Sequence, residues 1–383
     1  MRLLFCRCVL MKILADENIP LLDEFFADLG ELTRTSGRSL SVQQVQNADV
    51  LLVRSVTKVN EVLVKNAKIK FVGTCTIGTD HVDQAYLQKQ GVYFASAPGC
   101  NAQSVVDYVL SALCSFAESQ SRSLLSLTVG IVGVGNVGFK LRQRLEALGL
   151  KVLAVDPFKC AQEVGPLVTL DEALQADVLC LHTPLTQSGS HPTEHLIGLT
   201  QLQRMRPNAC LISAGRGAVV DNAALLAHLR STPSFIAILD VWENEPTPDI
   251  ELVHACFLAT PHIAGYSLDG KMAGTQQIYQ ALCQYLGRPA LKKLTDFLPE
   301  PAIKELRFSA TVDTEQSLWS AVRAVYDVRG DTARMRMACV SEHGLAQRFD
   351  ALRKDYPLRR DLHNTQVKGA DLLFKAGFSL TRS

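Results

Sequence analysis

The sequence has no excess of charge of either sign. Its 39 basic and 38 acidic side chains leave a formal net charge of +1 at pH 7, so no field draws it to nucleic acid or to an acidic membrane surface. It also has no apolar run near the roughly 20 residues that a helix needs to cross a bilayer. Its 11 cysteines are scattered and odd in number, which excludes a complete disulfide framework. Cys6 and Cys8 are close, but no second pair offers the spacing of a zinc site, and no metal is expected. Most of the others sit in apolar runs, as Cys180 does between Val178 and His182. They read as small buried hydrophobes in a reduced, cytoplasmic protein. No internal repeat is present. The composition, 47% hydrophobic and 20% charged, is that of an ordinary globular protein, and 383 residues suffice for two or three domains.

Met1 to Leu10 stand apart. They are apolar with two arginines, have no small-residue cleavage site, and give way at once to a strand-like run from Met11. The expectation is that the natural chain begins at Met11, and the fold is read from there.

What is present centres on Thr128 to Asp156. Val129, Ile131 and Val132 make a short buried strand, and Gly133, Gly135 and Gly138 follow with G-x-G-x-x-G spacing. Leu141, Leu145 and Leu148 then recur at helical intervals. A second apolar strand, Val152 to Val155, ends on Asp156. Each part has a task in holding a dinucleotide. Gly133 permits a tight turn, Gly135 lets the backbone approach a pyrophosphate, and Gly138 lets helix pack on strand. The helix N-terminus, with Asn136 and Val137, faces the phosphates. Asp156 suits both ribose hydroxyls of the adenosine and repels a 2′-phosphate, which favours NAD over NADP. The glycines alone are a weak signal; strand, glycines, helix, strand and acid in this order are a strong one.

Short strands alternate with helices on either side of this unit. Lys12 to Ala15, Val50 to Val53, Phe71 to Gly73 and Val92 to Ala95 read as strands, with Leu21 to Leu29 a helix closed by Gly30. After the long amphipathic helix from Ala102 to Glu118, strands recur at Val178 to Leu181, Ala209 to Ser213 and Phe235 to Leu239. The class is therefore α/β, with two Rossmann-like doubly wound parallel sheets. From about residue 291 charged helical patterns alternate with short apolar runs, as in a smaller α+β domain. The run from Leu352 to Arg360 is basic and reads as a solvated face or a subunit contact rather than an anion site.

Strand-end loops are where such sheets place ligands. In the first sheet Arg54, Ser55 and Lys58 suit an anionic group, and Thr76 with Gly78 adds hydroxyl and backbone donors. A plain solvated loop accounts for them equally well. His81, between Asp80 and Asp83, reads as a helix start. In the second sheet Arg216, Glu245 and His262 lie after successive strands, and together they suit oxidation of a 2-hydroxy acid. A histidine takes the hydroxyl proton as hydride leaves C2. A carboxylate orients the ring and stabilises the imidazolium, and a guanidinium binds the substrate carboxylate and the C2 oxygen. His182 competes for the role of base, but with Thr183 it better suits the lining of the cofactor cleft.

These residues resemble a family. Gly133 to Gly138, His182-Thr183-Pro184-Leu185, Arg216-Gly217 with Val220-Asp221, Asp240-Val241-Trp242 with Glu245-Pro246, and Pro261-His262-Ile263-Ala264-Gly265 resemble the D-isomer-specific 2-hydroxyacid dehydrogenases. Leu14 to Asn18, Val53 to Asn60, Ala97 to Ala102 and His262 to Tyr266 narrow the likeness to a branch acting on a phosphorylated four-carbon acid. The resemblance implies Arg216, Glu245 and His262 as catalytic residues, with His262 the acid/base. It implies NAD near Asn136, Val137, Asp156, Thr183, Asp240 and Gly265, and substrate near Ser55, Thr76 and Tyr266. Arg54 and Lys58 are candidates for the phosphate by charge. It further implies a substrate domain (11–97 with 266–290), a NAD-binding Rossmann domain (98–265) and a C-terminal domain (291–383) that makes a homodimer. Gly215 departs from the family pattern, which usually has a bulkier or polar residue there, and is expected to loosen the backbone beside Arg216. Two alternatives remain: a 3-phosphoglycerate dehydrogenase, and an NADH-sensing co-repressor-like binding protein. The Arg216, Glu245 and His262 set and the lack of a basic surface argue against the second.

Overall fold

The computed structural model describes residues 11–309, 311–368 and 371–381; Met1 to Leu10 lie outside the described residues. The chain forms two compact units. One holds the described residues through Asn101 together with Asp269–Pro299, and the other holds Ala102–Leu268 together with residues from Glu300 on.

The first unit is built on a parallel sheet of β1 (Lys12–Asp16), β2 (Glu31–Thr35), β3 (Val50–Val53), β4 (Phe71–Thr74) and β5 (Tyr93–Ala95), in the order β2-β1-β3-β4-β5. β3 and β4 are buried at every residue, as strands covered on both faces must be, which is why they read as unbroken apolar runs. β2 has no such signature. It is an edge strand in which only Thr35 is buried, so its polar residues conceal it from pattern reading. The helix expected over Leu21 to Leu29 spans only Leu22–Phe26. Phe25 and Phe26 pack against Tyr279 and Ile278 of the returning helix Leu268–Tyr285, with the Phe25 and Tyr279 ring centroids 5.2 Å apart.

The second unit has a six-stranded parallel sheet of β6 (Thr128–Val132), β7 (Lys151–Val155), β8 (Val178–Leu181), β9 (Cys210–Ser213), β10 (Ile236–Leu239) and β11 (Leu258–Ala259). Its order is β7-β6-β8-β9-β10-β11. Strand order reverses between β6 and β8, the kind of switch point at which open sheets bind ligands. Alternate residues serve opposite faces. Ile131, Cys180 and Ile212 join Val109, Leu113 and Phe116 of the helix Ala102–Ser119. Val132, Leu181 and Leu211 join Leu202, Leu225 and Trp242 on the other side.

Residues after Glu300 add a small parallel sheet of β12 (Glu305–Arg307), β13 (Gln366–Lys368) and β14 (Ser379–Leu380). The helix Thr314–Val325 sends Leu318 and Val322 into the first of these cores. The helices Val328–Ala338 and Leu345–Lys354 send Met335 and Phe349 into the second. Shared cores explain why this segment groups with the dinucleotide unit. Among the described residues no helix is long and apolar enough to cross a membrane.

Phe116 is fully buried in the core that also holds residues of β6 and β8. Truncating it to alanine should therefore destabilise the second unit by about 3–5 kcal/mol, read as a lower thermal midpoint in calorimetry. An unchanged midpoint would contradict this packing.

Candidate active site

The glycine turn is forced by contact. Gly133 has φ +90, and a Cβ there would lie 2.9 Å from the carbonyl carbon of His182. At Gly138 a Cβ would fall 1.9 Å from the Gly133 oxygen. Gly135 caps the helix Asn136–Leu148, and a side chain there would meet nothing within 4 Å. The bare backbone leaves the first N–H groups of that helix open to an anion. Asp156, at the end of β7, accepts from the Val134 N–H at 2.9 Å and the Phe158 N–H at 2.9 Å, which ties the glycine turn to the end of β7.

Across the switch point, Thr183 Oγ1 and both ring nitrogens of His182 are buried with no hydrogen-bond partner among the described residues. Burial pushes the His182 pKa down to about 4, so the ring is neutral near pH 7 and unsuited to act as a base there. Unsatisfied polar atoms beside a glycine cradle fit a ligand rich in hydrogen-bonding groups, and a dinucleotide is such a ligand.

The expected catalytic trio meets at the ends of β9, β10 and β11. Arg216, Glu245 and His262 line one open cleft of about 470 Å³ with Trp242 and Leu185. His262 Nδ1 is 2.7 Å from Glu245 Oε2, while Glu245 Oε1 accepts from the Trp242 N–H at 2.9 Å. Burial tends to raise the Glu245 pKa, but the His262 charge, the His262 bond and the Trp242 N–H bring it below its ordinary value. A carboxylate at Nδ1 fixes the hydrogen there and leaves Nε2 as the basic atom. His262 itself has φ +57, a left-handed backbone that few non-glycine residues adopt.

That backbone is held by Asp240. Its carboxylate is 1% exposed and accepts from Thr260 Oγ1 at 2.6 Å, the Ile263 N–H at 2.8 Å and the Ala264 N–H at 2.8 Å. Its carbonyl accepts from the His262 N–H at 2.7 Å. Burial raises the Asp240 pKa, with His262 and the three donors opposing. Expected as a cofactor contact, Asp240 holds the 260–264 loop from inside.

Gly217 packs so closely on Trp242 that a Cβ would fall 1.9 Å from its carbonyl oxygen, which sets Arg216 over the cleft. Gly215 is not loose: a Cβ there would lie 3.0 Å from the Thr183 oxygen, so glycine lets β9 exit close to the end of β8. A second histidine–carboxylate pair was not legible in the sequence. His195 Nε2 is 2.5 Å from Glu243 Oε1, and this bond raises the His195 pKa. His195 is absent from the lining of the cleft that holds Arg216 and His262, but its partner Glu243 and its neighbour Glu194 are part of it, so the second pair sits at the edge of the same cleft.

The candidates in the first unit make separate contacts. Arg54 Nε donates to Asp16 Oδ2 at 3.1 Å. Thr74 Oγ1 lies 2.8 Å from Thr76 Oγ1 and 2.9 Å from His81 Nε2, so His81 belongs to this hydroxyl cluster, and Asp83 caps the helix Gln84–Lys89. Ser55 and Lys58 are exposed. Tyr266, in the second unit, stacks edge-on against Tyr356 with centroids 5.9 Å apart.

Comparison with known proteins assigns this arrangement to a class. Residues 111–264 match the D-isomer specific 2-hydroxyacid dehydrogenase NAD binding domain, which makes the chain an NAD-dependent oxidoreductase. Residues 297–377 match a domain of unknown function. Erythronate-4-phosphate dehydrogenase of Marinobacter nauticus is 50% identical, over 96% of this chain and 98% of its own. The enzyme of that name from Hahella chejuensis is 48% identical, over 97% of this chain and 100% of its own. The chain belongs to the erythronate-4-phosphate dehydrogenase family. Among solved structures, D-lactate dehydrogenase from Aquifex aeolicus, complexed with NAD and lactic acid, shares the fold with TM-score 0.62 and 24% identity, over 72% of this chain and 96% of its own. NAD-bound 3-phosphoglycerate dehydrogenase of Entamoeba histolytica does so at 0.62 and 23%, over 76% and 100%.

Two outcomes are expected. Gly138→Ala should weaken NADH binding at least tenfold in a fluorescence titration, and unaltered affinity would contradict the cradle. His182 has a folded pKa below the ordinary 6.5, so its contribution to stability is intact above pH 6.5 and lost as the pH falls toward about 4. Thermal midpoints between pH 7 and 4 should fall less steeply for His182→Gln than for the wild type; equal slopes would exclude a buried neutral ring.

Proposed function

We propose that the chain oxidises 4-phospho-D-erythronate with NAD to (R)-3-hydroxy-2-oxo-4-phosphooxybutanoate, a step in pyridoxal 5′-phosphate biosynthesis. The observation that carries the reaction is the His262–Glu245 pair in one cleft with Arg216; the names of relatives about 50% identical carry the substrate. Bound NAD would supply the hydride acceptor for C2. His262 Nε2 takes the C2 hydroxyl proton, and Glu245 steadies the imidazolium that results. Arg216 holds the carboxylate and the oxygen at C2 as it becomes a carbonyl.

Gly133, Gly135, Asn136, Val137 and Gly138 would receive the pyrophosphate at the helix N-terminus. Asp156 would take the adenosine ribose, and Thr183 and Gly265 would flank the nicotinamide end, with Asp240 behind the loop that carries Gly265. Ser55, Thr76 and Tyr266 are proposed to contact the substrate, with Arg54 and Lys58 cations for its phosphate. A homodimer in the cytoplasm completes the reading. Exposed Leu358, Phe374 and Leu380 support a subunit contact through the C-terminal segment.

NADH absorbance with purified protein, NAD and 4-phosphoerythronate tests the reaction, with 2-oxo acids added as acceptors so that retained NADH does not mask turnover. 3-Phosphoglycerate, assayed in parallel, should be the poorer substrate. His262→Ala should lower kcat by about 10²–10⁴ with NADH binding retained, and full activity in that variant would remove the mechanism.

A further inference from the structure

The basic run near the end of the chain is only partly the solvated face or subunit contact that its sequence suggests: Lys354, Asp355, Pro357 and Leu358 are exposed, but its last two arginines are not. Arg359 and Arg360 are buried. Arg359 stacks over the Tyr326 ring at 4.2 Å and donates to the Ala264 carbonyl at 2.5 Å, two residues from His262. Arg353 comes from the last turn of the helix Leu345–Lys354 to the other end of the same loop. Its guanidinium carbon lies 5.4 Å from the Tyr266 ring centroid. Its Nε is buried and has no hydrogen-bond partner among the described residues.

A buried donor without a partner on a cationic side chain is costly unless something accepts from it. Here the donor lies against a tyrosine four residues from the base. Arg54 differs in this respect, because its Nε already donates to Asp16. Burial disfavours the Arg353 cation, but Tyr266, to which its guanidinium also hydrogen-bonds, together with Glu245 and Asp350 outweigh that and raise its pKa. A full positive charge therefore stands within the field of the Glu245 carboxylate, while Nε is left for a further acceptor. A planar guanidinium of this kind suits the oxygens of a phosphate.

We infer that Arg353 is a substrate-binding residue that, together with Tyr266, receives the phosphate of the acid oxidised at His262. The inference rests on the reaction proposed above, in which Arg216 already serves the carboxylate and the C2 oxygen. A second anion on the same molecule then meets Arg353 beside the catalytic loop, in place of the Arg54 and Lys58 that charge alone suggests for it. Recognition of phosphate is in this way supplied by the segment after Glu300.

The test is steady-state oxidation of 4-phosphoerythronate and of unphosphorylated erythronate by wild type, Arg353→Ala and Arg353→Lys, with NADH affinity as the check on folding. Arg353→Ala should raise the KM for the phosphorylated acid about 10- to 150-fold, with a much smaller change in kcat. It should leave kcat/KM for erythronate near the wild-type value, and Arg353→Lys should recover part of the loss. Arg353→Met, which keeps the apolar stem over Tyr266, serves the same comparison if alanine impairs folding. An equal loss on both acids, or none on either, overturns the assignment. A wild type that oxidises neither acid overturns the functional reading, and this inference with it. A wild type that oxidises the phosphorylated acid, with unaltered preference in the variants, overturns the inference alone.

Discussion

A carboxylate sealed from water must be met by donors, and Asp240 finds its donors in a single loop. Thr260 and the backbone of Ile263 and Ala264 converge on it, while Tyr108 lies 2.9 Å from the Thr260 hydroxyl and so links the loop to the long helix beneath the sheet. An unmet buried carboxylate is unfavourable by several kcal/mol, so the loop has little freedom to adopt another path. The position of the imidazole, and its reach to Glu245, follow from that constraint. The same loop carries Gly265 and Tyr266, so cofactor and substrate contacts are proposed on a segment whose shape is set by one buried charge.

What was legible in the sequence was whatever leaves a periodic or compositional mark. β3, β4, β8 and β9 are buried on both faces and announce themselves as apolar runs. The glycine fingerprint is legible because sterics permit nothing else at Gly133 and Gly138. Arg216, Glu245 and His262 were legible as a group because parallel strands end on one edge, so residues far apart in sequence meet there.

Features that depend on tertiary contact were not legible. β2 is a polar edge strand and lacks a signature. His195 and Glu243 are 48 positions apart in the chain, and no local rule pairs them. The basic run at Leu352 to Arg360 looks solvent-facing by composition, and its middle is exposed, but aromatic rings and carbonyls bury Arg359 at its end. Gly215 reads as flexibility and acts as a spacer against Thr183. In each case the sequence shows the residue type but not the neighbour that decides its role.

The left-handed backbone at His262 narrows the choice of occupant. Asparagine is among the few side-chain-bearing residues comfortable in that conformation. Histidine is also among the residues that tolerate it, so the backbone admits either side chain, and what an imidazole adds at this corner is the bond to Glu245.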